Sequence, residues 1–291
     1  MFIDIHTHSI LLNDPRQRAI SRWTSPEELL SMWDDLGIDR GVVLPLVHHE
    51  IGMILQTSEN VLDIQATYGD RIIPFCNLDP RWHYNRPDVD FTPVLEHYKE
   101  LGCKGVGEMT SNLWWDDDRV LNLLKHIEKA RLPMIFHVAS HDRGMYGLVD
   151  QLGLPKLEKV LGMFPQLPFV GHSMAFWSAI DGGVTEADWM GYPKGPVREG
   201  GRLIELLRRY DNLWCDISAG SGFNAISRDP EFGYWFLEEF SDRILFGTDI
   251  CQAGQEVQQV DYLNAAVADG KITRDAFEKI SHTNAEALLG L

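Results

Sequence analysis

The chain is poor in cysteine and in basic residues, and it has no long apolar run. Its four cysteines are widely spaced without a C-x-x-C pair, which argues against a disulfide framework. Lysine and arginine number 26 against 43 acidic residues, a net charge of −17, so no nucleic-acid partner is expected. A strand is predicted from residue 2, which leaves no room for a signal peptide, and no segment is apolar enough to span a membrane. We therefore expect a cytoplasmic protein without a membrane partner.

What the sequence contains is a regular alternation of apolar strands and helices. Ser25, Pro26 and Glu28 form a capping box that begins a helix to about Leu36. Further helices are predicted at 58–68, 92–101, 117–131, 154–164, 199–210 and 231–240. The predicted strands are 2–5, 41–46, 71–76, 104–108, 133–137, 168–172, 213–217 and 243–249. Over 291 residues this alternation predicts an α/β fold, a (β/α)8 TIM barrel forming a single domain over 1–291.

One connection is longer than the barrel needs. Between His172 and the helix near Glu199 lie some 25 residues that are rich in glycine and tryptophan. A loop of that length in a compact domain is usually functional. We expect it to form a lid-like loop after strand six.

Two histidines end the first strand, in the segment Met1-Phe-Ile-Asp-Ile-His6-Thr-His8. Residues i and i+2 of an extended backbone point the same way. His6 and His8 can therefore direct both imidazoles toward one metal ion. An isolated His-x-His pair is weak evidence, so its context decides its meaning.

The ends of later strands carry further metal-competent side chains. In a (β/α)8 barrel all of these ends open on one face. Each residue has a structural alternative, such as a hydrogen-bonded core position for His137, a helix cap for Asp249 or an arginine partner for Glu108. One metal site explains them all together, whereas the alternatives need a separate reason for each residue. The residues are Glu108, His137, His172, Asp216 and Asp249.

This pattern resembles the amidohydrolase superfamily, on the strength of His6-x-His8, His137, His172 and Asp249 at strands one, five, six and eight. The nearest branch is the amidohydrolase-related group that includes aminocarboxymuconate semialdehyde decarboxylase and the resorcylate decarboxylases. The resemblance covers essentially the whole chain. It implies that His6, His8, His137 and Asp249 bind one divalent metal, usually zinc, and that His172 lies near the metal and activates water or polarises the substrate. Mn²⁺ and Fe²⁺ also accept such ligands. The resemblance further suggests a homodimer.

Glu108 departs from the simplest pattern of that branch. The segment Gly105-Val-Gly-Glu108 resembles the metal-bridging glutamate of the TatD-type branch, which uses two metals. If Glu108 turns inward, it would bridge a second ion held partly by His137 and His172. The alternative is that Glu108 orients a ligand or contacts the substrate.

The chemistry follows from this ligand set. A divalent metal with an open position lowers the pKa of bound water from about 15.7 to about 7. Asp249 could take the proton of that water and pass it to the leaving group, and His172 could hydrogen-bond the developing oxyanion. Attack on an ester, lactone or amide carbonyl gives hydrolysis. The same site could instead protonate an unsaturated carbon and release CO₂.

Four other residues are candidates for substrate binding. Arg81 follows strand three and could fork onto a carboxylate, although a surface salt bridge is the alternative. Trp114 and Trp177 follow strands four and six and could wall a pocket or simply pack. His141 follows strand five.

We therefore predict a metal-dependent hydrolase of a small, carboxylated lactone, ester or amide. The second hypothesis is a non-oxidative decarboxylase with the same ligands. A TatD-like nuclease is a third, disfavoured by the charge of −17.

Overall fold

The computed structural model describes residues 1–11, 22–52, 54–140 and 144–291, and it contains nine short parallel strands. Two sheets have the orders β1-β2-β3 and β4-β5-β7-β8-β9, and β6 pairs with β5 outside this path. The strands are β1 Ile3–Thr7, β2 Arg40–Val43, β3 Ile72–Pro74, β4 Val106–Met109, β5 Met134–Ser140, β6 Leu148–Asp150, β7 Phe169–His172, β8 Leu213–Asp216 and β9 Ile244–Leu245.

Backbone contacts join the two sheets at both seams. A parallel bridge links Cys76 to Val106 after β3, and another links Thr7 in β1 to Ile250 after β9. Eight strands, all except β6, therefore follow one another in a ring. The predicted (β/α)8 barrel is confirmed, and the prediction that residues 1–291 form one domain stays a prediction.

Helices follow the strands as expected for this fold. They are α1 Pro26–Leu36, α2 Ser58–Tyr68, α3 Thr92–Glu100, α4 Asp118–Ala130, α5 Pro155–Met163, α6 Met174–Ser178, α7 Arg202–Arg209, α8 Ala219–Ser227, α9 Pro230–Glu239, α10 Gln259–Ala268, α11 Arg274–Glu278 and α12 Asn284–Leu289. The capping box of α1 is confirmed, because the Ser25 hydroxyl accepts from the Glu28 amide and the Glu28 carboxylate accepts from the Ser25 amide. In the described part of the chain, no helix is long and apolar enough to cross a membrane.

Four elements differ from the sequence expectations, and β5 also continues past its predicted end at His137 to Ser140. The predicted eighth strand, 243–249, is only Ile244–Leu245, and the chain leaves the ladder before Asp249. Strand β6 was not predicted: its three residues pair with the extension of β5 beyond the ring, Val138 opposite Leu148. Helices α6 and α8 are likewise additions to the strand-to-helix connections. Segments this short have too few residues to show a period of 2 or 3.6.

The core inside the ring consists of apolar side chains from most of the strands. Two residues of α12, Ala285 and Leu289, pack against this cluster. Layers of branched side chains fill such barrels completely, so the reactive groups must lie beyond the strand ends. The strand residues in the cluster, with those that directly follow β2 and β3, are Ile3, Ile5, Val42, Leu44, Ile73, Phe75, Ile135, Val170 and Leu245.

Hydrogen bonds join the two ends of the long connection after β7. The Asp181 carboxylate accepts from Arg198 Nε at 2.9 Å and from Arg228 Nη2 at 3.0 Å. The Gly182 amide donates to the Arg198 carbonyl oxygen at 2.9 Å, so the two ends of the loop meet. Further along the loop, buried Trp189 donates its indole N–H to the Ala175 carbonyl oxygen of α6 at 3.0 Å. A lid function for this loop stays a prediction.

Candidate metal centre

The two histidines at the end of β1 are buried and point at each other. His6 Nδ1 lies 2.7 Å from Asp216 Oδ2, and His8 Nδ1 lies 3.2 Å from the Leu44 carbonyl oxygen. A carbonyl oxygen only accepts, so His8 carries its proton on Nδ1 and turns the lone pair of Nε2 inward. The two Nε2 atoms are 3.2 Å apart. Converging lone pairs of this kind repel each other unless a proton or a metal cation lies between them.

Two carboxylates approach the same pair of nitrogens. Glu108 Oε2 lies 3.7 Å from His6 Nε2 and 3.5 Å from His8 Nε2. Asp249 Oδ1 lies 3.5 Å and 3.7 Å from the same two atoms. Ligands about 2.0–2.2 Å from a tetrahedral zinc ion are about 3.3–3.6 Å apart. The spacing of these four side chains therefore fits a divalent metal.

A second group lies on the other side of Glu108. Its Oε1 is 2.8 Å from His137 Nδ1, and the buried Nε2 of His137 has no hydrogen-bond partner. Glu108, His137 and His172 each offer one ligand atom, and these atoms lie within 4.8 Å of one another. Asp249 likewise turns Oδ2 toward His172 Nε2, at 3.9 Å. Both carboxylates thus present one oxygen to each group of histidines.

The pKa shifts of Glu108 and His6 indicate that this site stabilises a positive charge. Burial raises the pKa of a carboxylic acid, but the hydrogen bond from His137 and the nearby His6 imidazole hold the pKa of Glu108 well below its usual value. Burial also opposes the charged form of His6, yet the charges of Asp216 and Asp249 raise the pKa of His6 well above normal. Without a metal, a proton on His6 balances these carboxylates. A divalent cation would balance them too and would displace that proton.

Asp216 and Ser218 at the end of β8 support the histidines. Ser218 Oγ donates to Asp216 Oδ2 at 2.8 Å and lies 2.9 Å from His172 Nδ1. The serine hydroxyl has one proton, so it accepts from His172 Nδ1–H, and His172 Nε2 keeps a free lone pair. Asp216 therefore orients His6 directly and His172 through Ser218. The sequence marked Asp216 as a strand-end residue but not as the partner of a ligand.

Asp249 adopts a left-handed backbone conformation, φ 55°, after β9. The Asp249 amide donates to the His6 carbonyl oxygen at 2.8 Å, and Gln255 Nε2 donates to the Asp249 carbonyl oxygen at 2.7 Å. These bonds hold the carboxylate over His6. The side chain is 25% exposed, whereas those of the other candidate ligands are almost fully buried, so the centre opens to solvent beside Asp249.

Two tyrosines that sequence reasoning missed lie beside this opening. The Tyr146 ring is 4.5 Å from the His137 ring, and burial together with the charges of Glu108 and Asp249 raises the pKa of its phenol. Burial and the charge of Asp249 also raise the pKa of Tyr192, in the long loop after β7. Both tyrosines lie in irregular segments, where no strand-end rule identifies them.

Arg81 forms ion pairs with two carboxylates, those of Asp79 and Glu50. Its Nε and Nη2 contact Asp79 at 2.8 and 2.6 Å, and its Nη1 and Nη2 contact Glu50 at 2.7 and 3.0 Å. A substrate carboxylate would have to displace one of these partners. The prediction that Arg81 binds substrate is untested, and these ion pairs count against it.

The two tryptophans predicted to bind substrate make contacts within the protein. Trp177 is buried in the core, where its indole N–H donates to the Asp216 carbonyl oxygen at 2.9 Å. The Trp114 ring lies 4.9 Å from the Lys156 ammonium group. These contacts favour the packing alternative for both tryptophans, and substrate binding by either one stays a prediction. His141 lies outside the described residues.

Comparisons with known proteins identify the family and the fold. The amidohydrolase family model matches residues 3–291. A comparison with curated proteins finds no significant match. An uncharacterised TIM-barrel protein from Bordetella bronchiseptica superposes with a TM-score of 0.66 at 18% identity, covering 99% of this chain and 98% of that one.

Two further solved structures have the same fold. One is 5-carboxyvanillate decarboxylase from Sphingomonas paucimobilis, with a TM-score of 0.62, 16% identity and coverage of 100% and 99%. The other is a probable 2-pyrone-4,6-dicarboxylic acid hydrolase from Acinetobacter baumannii, with a TM-score of 0.55, 14% identity and coverage of 100% and 99%. Enzymes of this superfamily typically use a divalent metal, and the buried donors described above fit one. The chain belongs to the amidohydrolase family.

Proposed function

We propose that this enzyme is a metal-dependent hydrolase of a small, carboxylated lactone, ester or amide. The observation that carries the proposal is the position of Glu108, whose two oxygens face two different groups of histidines. A carboxylate in that position suits a bridge between two ions. Two-metal sites are common where a water must be activated and a leaving oxygen stabilised.

The residues divide into two ligand groups in this proposal. His6, His8, Asp249 and one oxygen of Glu108 would hold the first ion. His137, His172 and the other oxygen of Glu108 would hold a second. This assignment moves His137 away from the first ion, where the family resemblance had put it. We expect zinc, which histidine and carboxylate ligands suit, and Mn²⁺ or Fe²⁺ would also be accepted.

The bound metal would supply an activated water and polarise the substrate carbonyl. Asp249 lies at the opening and would accept the proton of the attacking water. It would return that proton to the leaving oxygen or nitrogen as the acyl bond breaks. Because His172 Nε2 bears a lone pair, we propose that His172 binds the metal or acts as a base. It would not donate a hydrogen bond to an oxyanion. Asp216 would keep His6 and His172 oriented during the reaction.

Decarboxylation is the second candidate. It is favoured by the likeness of the fold to 5-carboxyvanillate decarboxylase and to 2,6-dihydroxybenzoate decarboxylase from Rhizobium. In that case the site would protonate the ring carbon that loses CO₂. Release of CO₂ from a carboxylated phenol, with no hydrolysis of lactones or amides, would select it.

The metal content per chain tests the bridge, measured on protein purified without chelator or added metal. We expect two ions in the wild type and one in Glu108→Gln. Glu50→Gln is the matched control, because Glu50 pairs with Arg81 outside the centre and its loss should leave the metal count unchanged. One ion in both the wild type and Glu108→Gln would contradict a bridging glutamate. Folded, active protein without metal would refute the whole proposal.

A further inference from the structure

Tyr146 has no role in the mechanism above, yet it lies beside the metal centre. We propose that Tyr146 is a substrate-positioning residue whose hydroxyl donates a hydrogen bond to a substrate oxygen held at this centre. The inference rests on the proposed function, because it needs a metal that binds the substrate through oxygen.

The backbone on both sides of Tyr146 is fixed. The Met145 carbonyl oxygen accepts from Asn112 Nδ2 at 2.7 Å, and the Gly147 amide donates to the Thr110 carbonyl oxygen at 2.9 Å. These bonds tie the segment between β5 and β6 to the chain that follows β4. Tyr146 is therefore held by the framework that carries Glu108.

Gly147 brings this segment against the end of β5. Its φ is +124°, and a Cβ atom there would lie 2.8 Å from the His137 carbonyl oxygen. Only glycine accepts both that conformation and that approach. The close contact sets the Tyr146 ring on the His137 ring, with 4.5 Å between centroids and 54° between planes. Tyr146 thus lies directly beside a candidate metal ligand.

The Tyr146 phenol lies near the reactive groups and has no role in the steps proposed above. It lies within electrostatic range of the Glu108 and Asp249 carboxylates. Among the residues that the structure describes, no hydrogen-bond partner of the Tyr146 hydroxyl is found, although buried tyrosines usually have one. The hydroxyl keeps its proton at neutral pH and is a ready donor. A substrate oxygen at the metal would be the missing acceptor.

Such a donor would act most strongly on a charged oxygen. Attack on a carbonyl converts a neutral oxygen into an oxyanion, and hydrogen bonds to ionised acceptors are roughly twice as strong as neutral ones. A fixed donor beside that oxygen therefore lowers the barrier as well as binding the substrate. The substrate class that fits has a carbonyl or carboxylate oxygen placed between the metal and the phenol.

Tyr146→Phe tests the proposal, because it keeps the ring against His137 and removes only the hydroxyl. The probe is benzohydroxamate, which binds metals through two oxygens, titrated into the cobalt-loaded protein while the cobalt absorption bands are recorded. We expect the Kd to rise at least about tenfold in the variant, the loss expected for a hydrogen bond to a charged oxygen. Metal content and thermal stability should equal those of the wild type. Tyr84→Phe, 82% exposed, is the control and should bind the probe like the wild type.

Equal affinities of the wild type and Tyr146→Phe for benzohydroxamate would overturn the inference and leave the proposed function standing. So would metal-loaded wild type that does not bind the probe, since no oxygen ligand would then reach the phenol. Failure of the wild type to retain cobalt at all would instead refute the proposed function. A loss of metal in Tyr146→Phe alone would show that Tyr146 supports the ligands and not the substrate.

Discussion

Replacing Asp216 by asparagine should weaken metal binding without removing a ligand. Asp216 Oδ2 lies 2.7 Å from His6 Nδ1, and both side chains are completely buried. The same oxygen accepts from Ser218 Oγ, which in turn holds His172. Asparagine keeps one acceptor oxygen, but its NH2 group cannot accept from the Ser218 amide as Asp216 Oδ1 does, and its lack of charge leaves the His6 ring less basic.

The size of the effect follows from how such partners act. Removing the group that orients a metal-bound histidine typically costs 10- to 100-fold in metal affinity. That range corresponds to about 1.4–2.7 kcal/mol. We expect the upper half of the range for Asp216→Asn, because one carboxylate serves two histidines and no water replaces it at a fully buried position.

Competition with a chelator at fixed pH measures this change in affinity. Asp150→Asn is the matched control: Asp150 is also buried, but its carboxylate accepts from the backbone amides of Gln151, Lys156 and Leu157 and lies outside the centre. Its metal affinity should stay within a factor of about two of the wild type. If folded Asp216→Asn binds metal as tightly as the wild type, the support of His6 by Asp216 is refuted.

Two further predictions concern stability. Burial lowers the pKa of His48 from 6.5 to about 4. Between these two pH values the unfolded chain binds a proton on His48 and the folded chain does not. The stability associated with a neutral His48 is present above pH 6.5 and falls as the pH drops toward 4, by about 2 kcal/mol between pH 7.5 and 5. Urea unfolding of the metal-free protein at both pH values should show this loss in the wild type and not in His48→Asn; equal losses would contradict it. Arg81→Met leaves the largely buried Asp79 unpaired and should lower the free energy of unfolding by about 1–3 kcal/mol in urea with unchanged metal content. Unchanged stability with weakened substrate binding would instead restore Arg81 as a substrate ligand.

Local sequence patterns were enough to predict the architecture. The alternation of apolar strands with amphipathic helices such as α4 predicted the barrel, and the Ser25 to Glu28 capping box predicted where α1 begins. Both signals depend on neighbours within a few residues, which the sequence contains in full. Some strand ends were also visible as positions where an apolar run stops at a polar residue such as His172, whereas β5 continues past His137 to Ser140.

Contacts between distant segments could not be predicted in this way. Arg81 at a strand end suggested a carboxylate partner, but only the fold shows that Glu50, from another loop, already occupies the guanidinium. Tyr146 reaches the centre because Gly147 lets an irregular segment pass close to His137. Neither relation depends on a local period.

The sequence by itself determined that His6 and His8 project together and that several strand ends bear side chains able to bind a metal. Spacing along a strand fixes direction, and a parallel barrel puts its strand ends on one face. Only the tertiary structure decided how these groups are shared: that Glu108 turns each oxygen to a different set of histidines, and that Asp216 holds His6 from across 210 residues. Those distances depend on the closure of the ring and on the packing of buried side chains, and no property of a single segment contains them.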